Sequence, residues 1–246
     1  MQNELKIVTL NTHKGMASFN LRGVSDKQRI LLRSLDADLV FLQEVTGFHA
    51  LRLTTLPEKQ YEFLADKVWP SYAYGQNAVS SKGHHGNAIL SKFPIMQWDN
   101  QDISASKAEQ RGMLHCQIAI PNWDQHLHCI CVHLGLLGHW RKQQLSALNT
   151  RINQLVPHNA PLIIAGDFND WGQHASALLK EQQQLKEAFK TAHGRYAKSF
   201  PAFLPLFRLD RIYVRGFDVL DCNVHAFTQH SKVSDHTALF AKIMRI

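Results

Sequence analysis

The residues able to do chemistry stand beside short apolar runs. Leu5–Leu10 ends in Asn11, and Leu39–Leu42 ends in Gln43-Glu44. Leu127–Val132 ends in His133, and Leu162–Ala165 leads into Gly166-Asp167-Phe168-Asn169. Asp210 precedes the run Arg211–Val214, and Ser234-Asp235-His236 precedes Ala238–Ile243. Carboxylates and carboxamides are hard oxygen donors, suited to Mg²⁺ or Mn²⁺ rather than zinc. An imidazole beside them holds or moves a proton near neutral pH. Taken singly, each residue has an ordinary reading: Asn11 and Gly166–Asn169 as turns, Asp235 as a turn cap, His133 as a satisfied, half-buried histidine. With 15 histidines in the chain, most must be structural or at the surface. Glu44 resists that reading, because an ionised carboxylate closing a buried run needs a partner.

The elements that must position these residues alternate along the chain. Leu5–Leu10, Leu39–Leu42, Asn87–Ser91, Gly112–Ile120, Leu127–Val132, Leu162–Ala165, Arg211–Val214 and Ala238–Ile243 are expected as strands. A helix is expected from Ser25 as N-cap, with Ile30, Leu31, Leu32 and Leu35 on its apolar face. Leu145, Leu148, Ile152 and Leu155 form an amphipathic stripe that serves the core, closed by Pro157 and Pro161. Many strands with helices between them predict two sheets packed face to face and flanked by helices, an α/β sandwich. Neither a linker nor an internal repeat divides residues 1–246, so a single domain is expected.

At 246 residues, 45% of them hydrophobic, the chain has ample material for a core, and collagen-like, low-complexity and disordered classes are excluded. Lys+Arg 27 against Asp+Glu 20 gives a net charge of +7, which suits a polyanionic partner. The cysteines Cys116, Cys129, Cys131 and Cys222 lack zinc-site spacing and read as buried free thiols. With no secretory signal and no membrane-length apolar stretch, the expected location is cytoplasmic, without a transmembrane segment.

Leu10-Asn11, Leu42-Gln43-Glu44, Gly86–Ser91, Val132-His133-Leu134, Gly166-Asp167-Phe168-Asn169, Leu209–Ile212 and Ser234-Asp235-His236, taken in order, resemble the endonuclease/exonuclease/phosphatase superfamily. These are DNase I-like, metal-dependent phosphohydrolases with a four-layered α/β sandwich. Asn11–Gly15 and Gly83–Asn87 look like the YbhP-like bacterial subgroup. The resemblance implies metal binding by Glu44 and Asn11, with Asp235 beside them, and one Mg²⁺ or Mn²⁺ ion. It implies a catalytic His236 oriented by Asp210, and Asp167 as the group that positions or deprotonates water. Asn169, His133 and Arg111 are then expected at the substrate phosphate. Some family nucleases carry an acid two positions after the strand-end Asn, where this chain has His13. That departure argues against a second ion.

The resemblance implies a phosphate-ester substrate and leaves its class to the remaining residues. Lys186, Lys190, Arg195, Lys198, Arg208, Arg211 and Arg215, interleaved with Phe189, Tyr196, Phe200, Phe203 and Phe207, fit a nucleic-acid groove and so a nuclease. The same residues can instead be core aromatics beneath a solvated basic face. A phosphatase or phospholipase-like hydrolase is the alternative, its basic surface meeting anionic lipid headgroups while Phe203–Phe207 enters the interface. A non-catalytic module ranks last, since the whole constellation is present.

Overall fold

The computed structural model describes residues 3–15, 21–49, 59–81, 83–172, 175–226 and 233–246. In chain order the elements are β1 (Glu4–Asn11), α1 (Leu21–Ser34), β2 (Leu39–His49), α2 (Gln60–Ala65), β3 (Ser71–Ser80), β4 (Gly83–Ser91) and β5 (Ile95–Asp102). There follow β6 (Gly112–Ile118), β7 (Leu127–His133), α3 (Gly138–Leu155), β8 (Leu162–Asp167), α4 (Ala175–Gln183) and β9 (Lys186–Glu187). The series ends with α5 (Ala188–His193), β10 (Asp210–Arg215), β11 (Phe217–His225) and β12 (Ala238–Arg245). Among the described residues the strands form two six-stranded sheets, ordered β11-β12-β1-β2-β4-β3 and β5-β6-β7-β8-β10-β9. The expected α/β sandwich is therefore what the chain adopts.

Side chains alternate across a strand, so each central strand feeds two cores. Leu5 and Ile7 of β1, Phe41 of β2, Cys129 and Cys131 of β7 and Ile163 and Ala165 of β8 share the core between the sheets. The residues between them turn outward. Val8, Val40 and Leu42 pack with Leu32 and Leu64 under α1 and α2. Ile130, Val132, Leu162 and Ile164 pack with Leu145, Leu148 and Ile152 under α3. Leu155, expected on that stripe, is instead 49% exposed in the last helical turn. All four cysteines are buried and free.

Two sequence expectations need correction. β2 does not stop at Gln43-Glu44 but continues to His49 after a break in its pairing with β4. α1 starts at Leu21, so Ser25 lies inside the helix rather than capping it. The strands β3, β5, β9 and β11 were not visible as apolar runs, and they are the four sheet edges. Their side chains face solvent along much of their length, which leaves no hydrophobic signature to find.

One polar group lies within the outer layer. His115 of β6 and His128 of β7 bond ring to ring at 2.9 Å, beneath Arg151 of α3, whose guanidinium reaches Asp99 at 2.7 Å. Burial is the main force holding both imidazoles neutral, taking His115 down to about 3 and His128 to about 4 from 6.5. A depressed folded pKa gives stability that is complete above 6.5 and lost as pH falls towards 4 and 3. The denaturation midpoint in urea should drop over that window, and it should drop less in His128→Gln. A flat wild-type profile would contradict the assignment.

Candidate active site

The inward face of each central strand is apolar until its last residue or two, where it turns polar. On β1 the series Leu5, Ile7 continues as Thr9 and Asn11; on β7, Cys129 and Cys131 continue as His133; on β8, Ile163 and Ala165 continue as Asp167. Register then brings these ends together. His133 lies opposite Asp167 across the parallel β7–β8 pair, and Asp210 lies opposite Asp167 across the antiparallel β8–β10 pair. Asn11 lies opposite Gln43 across the parallel β1–β2 pair. Close strand approach is needed beside Asp167: Gly166 has φ +148, and a Cβ there would stand 2.0 Å from the Val132 carbonyl oxygen.

Glu44 reaches the same place by breaking the alternation. Leu42 and Val45 both face outward, three positions apart, so regular pleating would turn Glu44 away from the inner face. A β-bulge between Leu42 and Val45, with Glu44 at φ 54, turns it back. His13, Lys14, Glu44 and Asn169 are four of the eight described non-glycine residues with positive φ. Half of the left-handed backbone thus gathers in this one place, a pattern of functional sites.

The side chains converge on Asp167, which is 2% exposed. Its Oδ2 accepts from Asn11 Nδ2 at 3.2 Å and lies 3.6 Å from His133 Nε2 and 3.8 Å from His236 Nε2. Its Oδ1 accepts the Asn169 backbone N–H at 2.9 Å. Asn11 Nδ2 also reaches Glu44 Oε1 at 3.4 Å, and His133 Nε2 lies 4.0 Å from the same oxygen. Asp210 Oδ2 bonds His236 Nδ1 at 2.8 Å, fixing the ring so that Nε2 faces Asp167.

Environment separates the two histidines. Burial, reinforced by the charges of Arg111 and His236, holds His133 well below the usual imidazole range, so it is neutral. Burial also opposes charge on His236, but the Asp210 carboxylate outweighs it and raises the pKa, so His236 is cationic. Asp167 is raised by its burial, with the His236 charge pulling the other way. A carboxylate that holds its proton more readily than usual, beside a fixed cation, is arranged for proton transfer.

The remaining expected residues lie at the margin. Burial would raise Asp235, but the hydrogen bond from His13 Nδ1, at 2.9 Å, lowers it instead. His13 is raised chiefly by that same bond. His13 and Asp235 therefore form an ion pair, a role for His13 that spacing gave no sign of. Asn169 Nδ2 donates to the Leu134 carbonyl at 2.9 Å. Arg111 is held by Glu109 at 2.8 Å and by the Leu134 carbonyl at 3.2 Å. Two further residues border the site, Phe200, which the sequence offered only as a groove aromatic, and His85. Phe200 packs on the His236 ring, centroids 4.9 Å apart, and His85, held down to about 4 chiefly by burial, feels the charges of Lys14 and Glu44. Gly83-His84-His85-Gly86 was the only sequence signal for the second.

Two donor sets could hold a cation. Glu44 and Asn11 make an oxygen-only set once the Asn11 amide is turned over, since here its Nδ2 faces Glu44 at 3.4 Å and its Oδ1 accepts the His13 backbone N–H at 3.0 Å. That hard set fits Mg²⁺ or Mn²⁺, which keep several waters and need few protein ligands. Asp167, Asp210 and His236 also place ligand atoms within 4.8 Å of one another, all buried. In that set the His236–Asp210 hydrogen bond already commits one imidazole nitrogen.

The bulge makes its own prediction. With Glu44 in the left-handed region, Glu44→Ala should be roughly 1–2 kcal/mol less stable than Glu44→Gly in urea unfolding. Equal stability would mean that the turn carries no strain.

Comparison with known proteins agrees with this geometry. Residues 17–236 match the Endonuclease/Exonuclease/phosphatase family. The chain is 44% identical over 246 residues to the Escherichia coli K12 protein YbhP, covering 98% of this chain and 97% of that one. D. rerio TDP2 complexed with single-strand DNA product shares the fold, at TM-score 0.75, 19% identity and 98% coverage of each chain. So does a Bacteroides thetaiotaomicron mannosyl-6-phosphatase, at TM-score 0.72 and 18% identity, covering 98% of this chain and 99% of that one.

Proposed function

The chain belongs to the endonuclease/exonuclease/phosphatase family, and on that footing we propose that it hydrolyses a phosphodiester by attack of water on phosphorus, assisted by one divalent ion. The convergence of Asn11, His133 and His236 on the Asp167 carboxylate carries this reading. Asp167 Oδ2 takes a proton from a water molecule as the water oxygen bonds to phosphorus, and the opposite phosphorus–oxygen bond breaks to release an alkoxide that takes up a proton from solvent. His236, cationic and aligned by Asp210, donates from Nε2 to a phosphate oxygen whose negative charge grows in the transition state. Neutral His133 and the Asn169 amide supply further donors, and Arg111 adds its charge from the rim. Mg²⁺ or Mn²⁺ on Glu44 and Asn11 would neutralise phosphate charge when bound. His13, at the position two after Asn11 where some family nucleases carry an acid, is paired with Asp235 at 2.9 Å, which supports a single ion with Asp235 beside it.

Two substrate classes carry specific support. A nuclease-like reaction is favoured by the likeness to a fold neighbour complexed with DNA product and by the Trp171–Phe207 ring pair, centroids 4.7 Å apart. A lipid or small-molecule phosphate ester is favoured by the fate of the basic stretch. Arg211 is buried against Tyr196, Arg215 donates to the Pro157 and Ala160 carbonyls, and Phe189 is in the core. Those groups do not line a groove. Four buried unpaired thiols support a cytoplasmic, reducing location.

Purified protein should hydrolyse a chromogenic phosphodiester with Mg²⁺ or Mn²⁺ and stop on chelation; full turnover in EDTA would reject the ion. His236→Ala should cost roughly 10²–10⁴-fold in kcat with the unfolding midpoint retained. A parallel screen of plasmid DNA, single-stranded RNA, phosphomonoesters and phospholipids separates the substrate classes.

A further inference from the structure

The loops that border the site are apolar at their tips. Residues 199–207 form a short hairpin: Phe200 and Phe207 exchange backbone bonds at 3.2 and 2.8 Å. The hairpin is tied to the catalytic segment by Ala202 N–H to the Asp235 carbonyl at 2.7 Å and Thr237 N–H to the Ser199 carbonyl at 2.8 Å. Its tip is thus held firmly outward, and it carries Phe203 at 71% and Leu204 at 56% exposure, with Leu206 beside them. The loop after His133 bears Leu136, 56% exposed, and Leu137. Scattered exposed leucines are ordinary; several on ordered loops around one polar pocket mark an interaction surface.

Charge indicates what that surface meets. From residue 188 to 209 the chain contains Lys190, Arg195, Lys198 and Arg208 and not one carboxylate. From 125 to 166 it contains Arg141, Lys142 and Arg151 and again none. Arg195, Lys198 and Lys142 are exposed. Glu109, which accepts the Leu136 backbone N–H, is itself paired to Arg111 at 2.8 Å. Apolar tips flanked by cations, with no carboxylate in either stretch of sequence, suit an anionic surface that has hydrocarbon beneath it. Phe203 can stack on a base, but Leu204, Leu206, Leu136 and Leu137 neither stack on bases nor bond phosphates, so a nucleic-acid strand would leave four of the five tip residues without a partner.

We propose that the hairpin tip Phe203-Leu204-Leu206 and the Leu136-Leu137 loop dock this protein on a bilayer containing anionic phospholipid. This contact goes beyond the hydrolytic reading and does not depend on turnover. It turns the mouth of the site towards the headgroup layer.

Co-sedimentation with vesicles of phosphatidylglycerol mixed with phosphatidylcholine tests it. Wild-type protein should sediment with the mixed vesicles, much less with phosphatidylcholine alone, and less as salt is raised. The double variant Phe203→Asp/Leu204→Asp should weaken partition roughly ten-fold or more, while the unfolding midpoint stays that of wild type. Leu136→Asp probes the second loop without touching the hairpin and should weaken partition in the same direction. Absence of vesicle binding, equal binding by all variants, or displacement from vesicles by a single-stranded oligonucleotide whose own retention falls in the same variants would each overturn the proposal. Protein that docks yet hydrolyses no phosphodiester would overturn the catalytic reading instead, so the two failures are distinguishable.

Discussion

A carboxylate shut between two sheets is the constraint on which this site rests. Asp167 is buried beyond the reach of bulk water, and ionisation there is tolerated only because donors are fixed around it. Asn11 and the Asn169 backbone donate to it, and His133 and the His236 cation stand 3.6 and 3.8 Å away, from four separate segments. Each donor must arrive at the right depth, which requires the β1–β2, β7–β8 and β8–β10 registers to hold together. A slip of one residue on β8 would turn Asp167 into the α3 layer and bring Phe168 or Gly166 inward. The catalytic arrangement and the strand register are therefore one specification.

The two histidines show how environment assigns roles to identical side chains. His236 has an acid at hydrogen-bond distance on Nδ1 and stays charged in spite of its burial. His133 has no such partner among the described residues, and its burial, reinforced by the Arg111 and His236 charges, keeps it neutral. A pair held in opposite protonation states offers a fixed charge and a neutral donor within a few ångströms of one oxygen. Glu44 is added by a different device, a bulge that strains the backbone to bring a carboxylate where pleating would not.

Some of the chain's positive charge, on Lys14 and Arg111, acts on this acidic centre. Another part is structural: Arg211 lies over Tyr196, Arg151 covers the His115–His128 pair, and Arg215 caps carbonyls. Lys142, Arg195 and Lys198 are exposed in the two stretches that carry leucine and phenylalanine at their tips. The polar interior is thus bordered by apolar, cationic loops.

The sequence by itself determined a good deal. Continuous apolar runs specified the central strands, because those strands are buried on both faces, and the polar residues flanking the runs pointed to Asn11, Glu44, His133, Asp167, Asp210 and His236 as candidates. The edge strands were illegible since solvent makes no hydrophobic demand on them. Only the tertiary structure decided that Glu44 turns inward, because a bulge is a property of pairing with β4 rather than of composition. It alone joined His13 to Asp235, paired Phe200 with His236, and sorted buried cations from exposed ones. These are contacts between residues far apart in the chain, and local pattern carries no information about which distant partner will occupy the facing position.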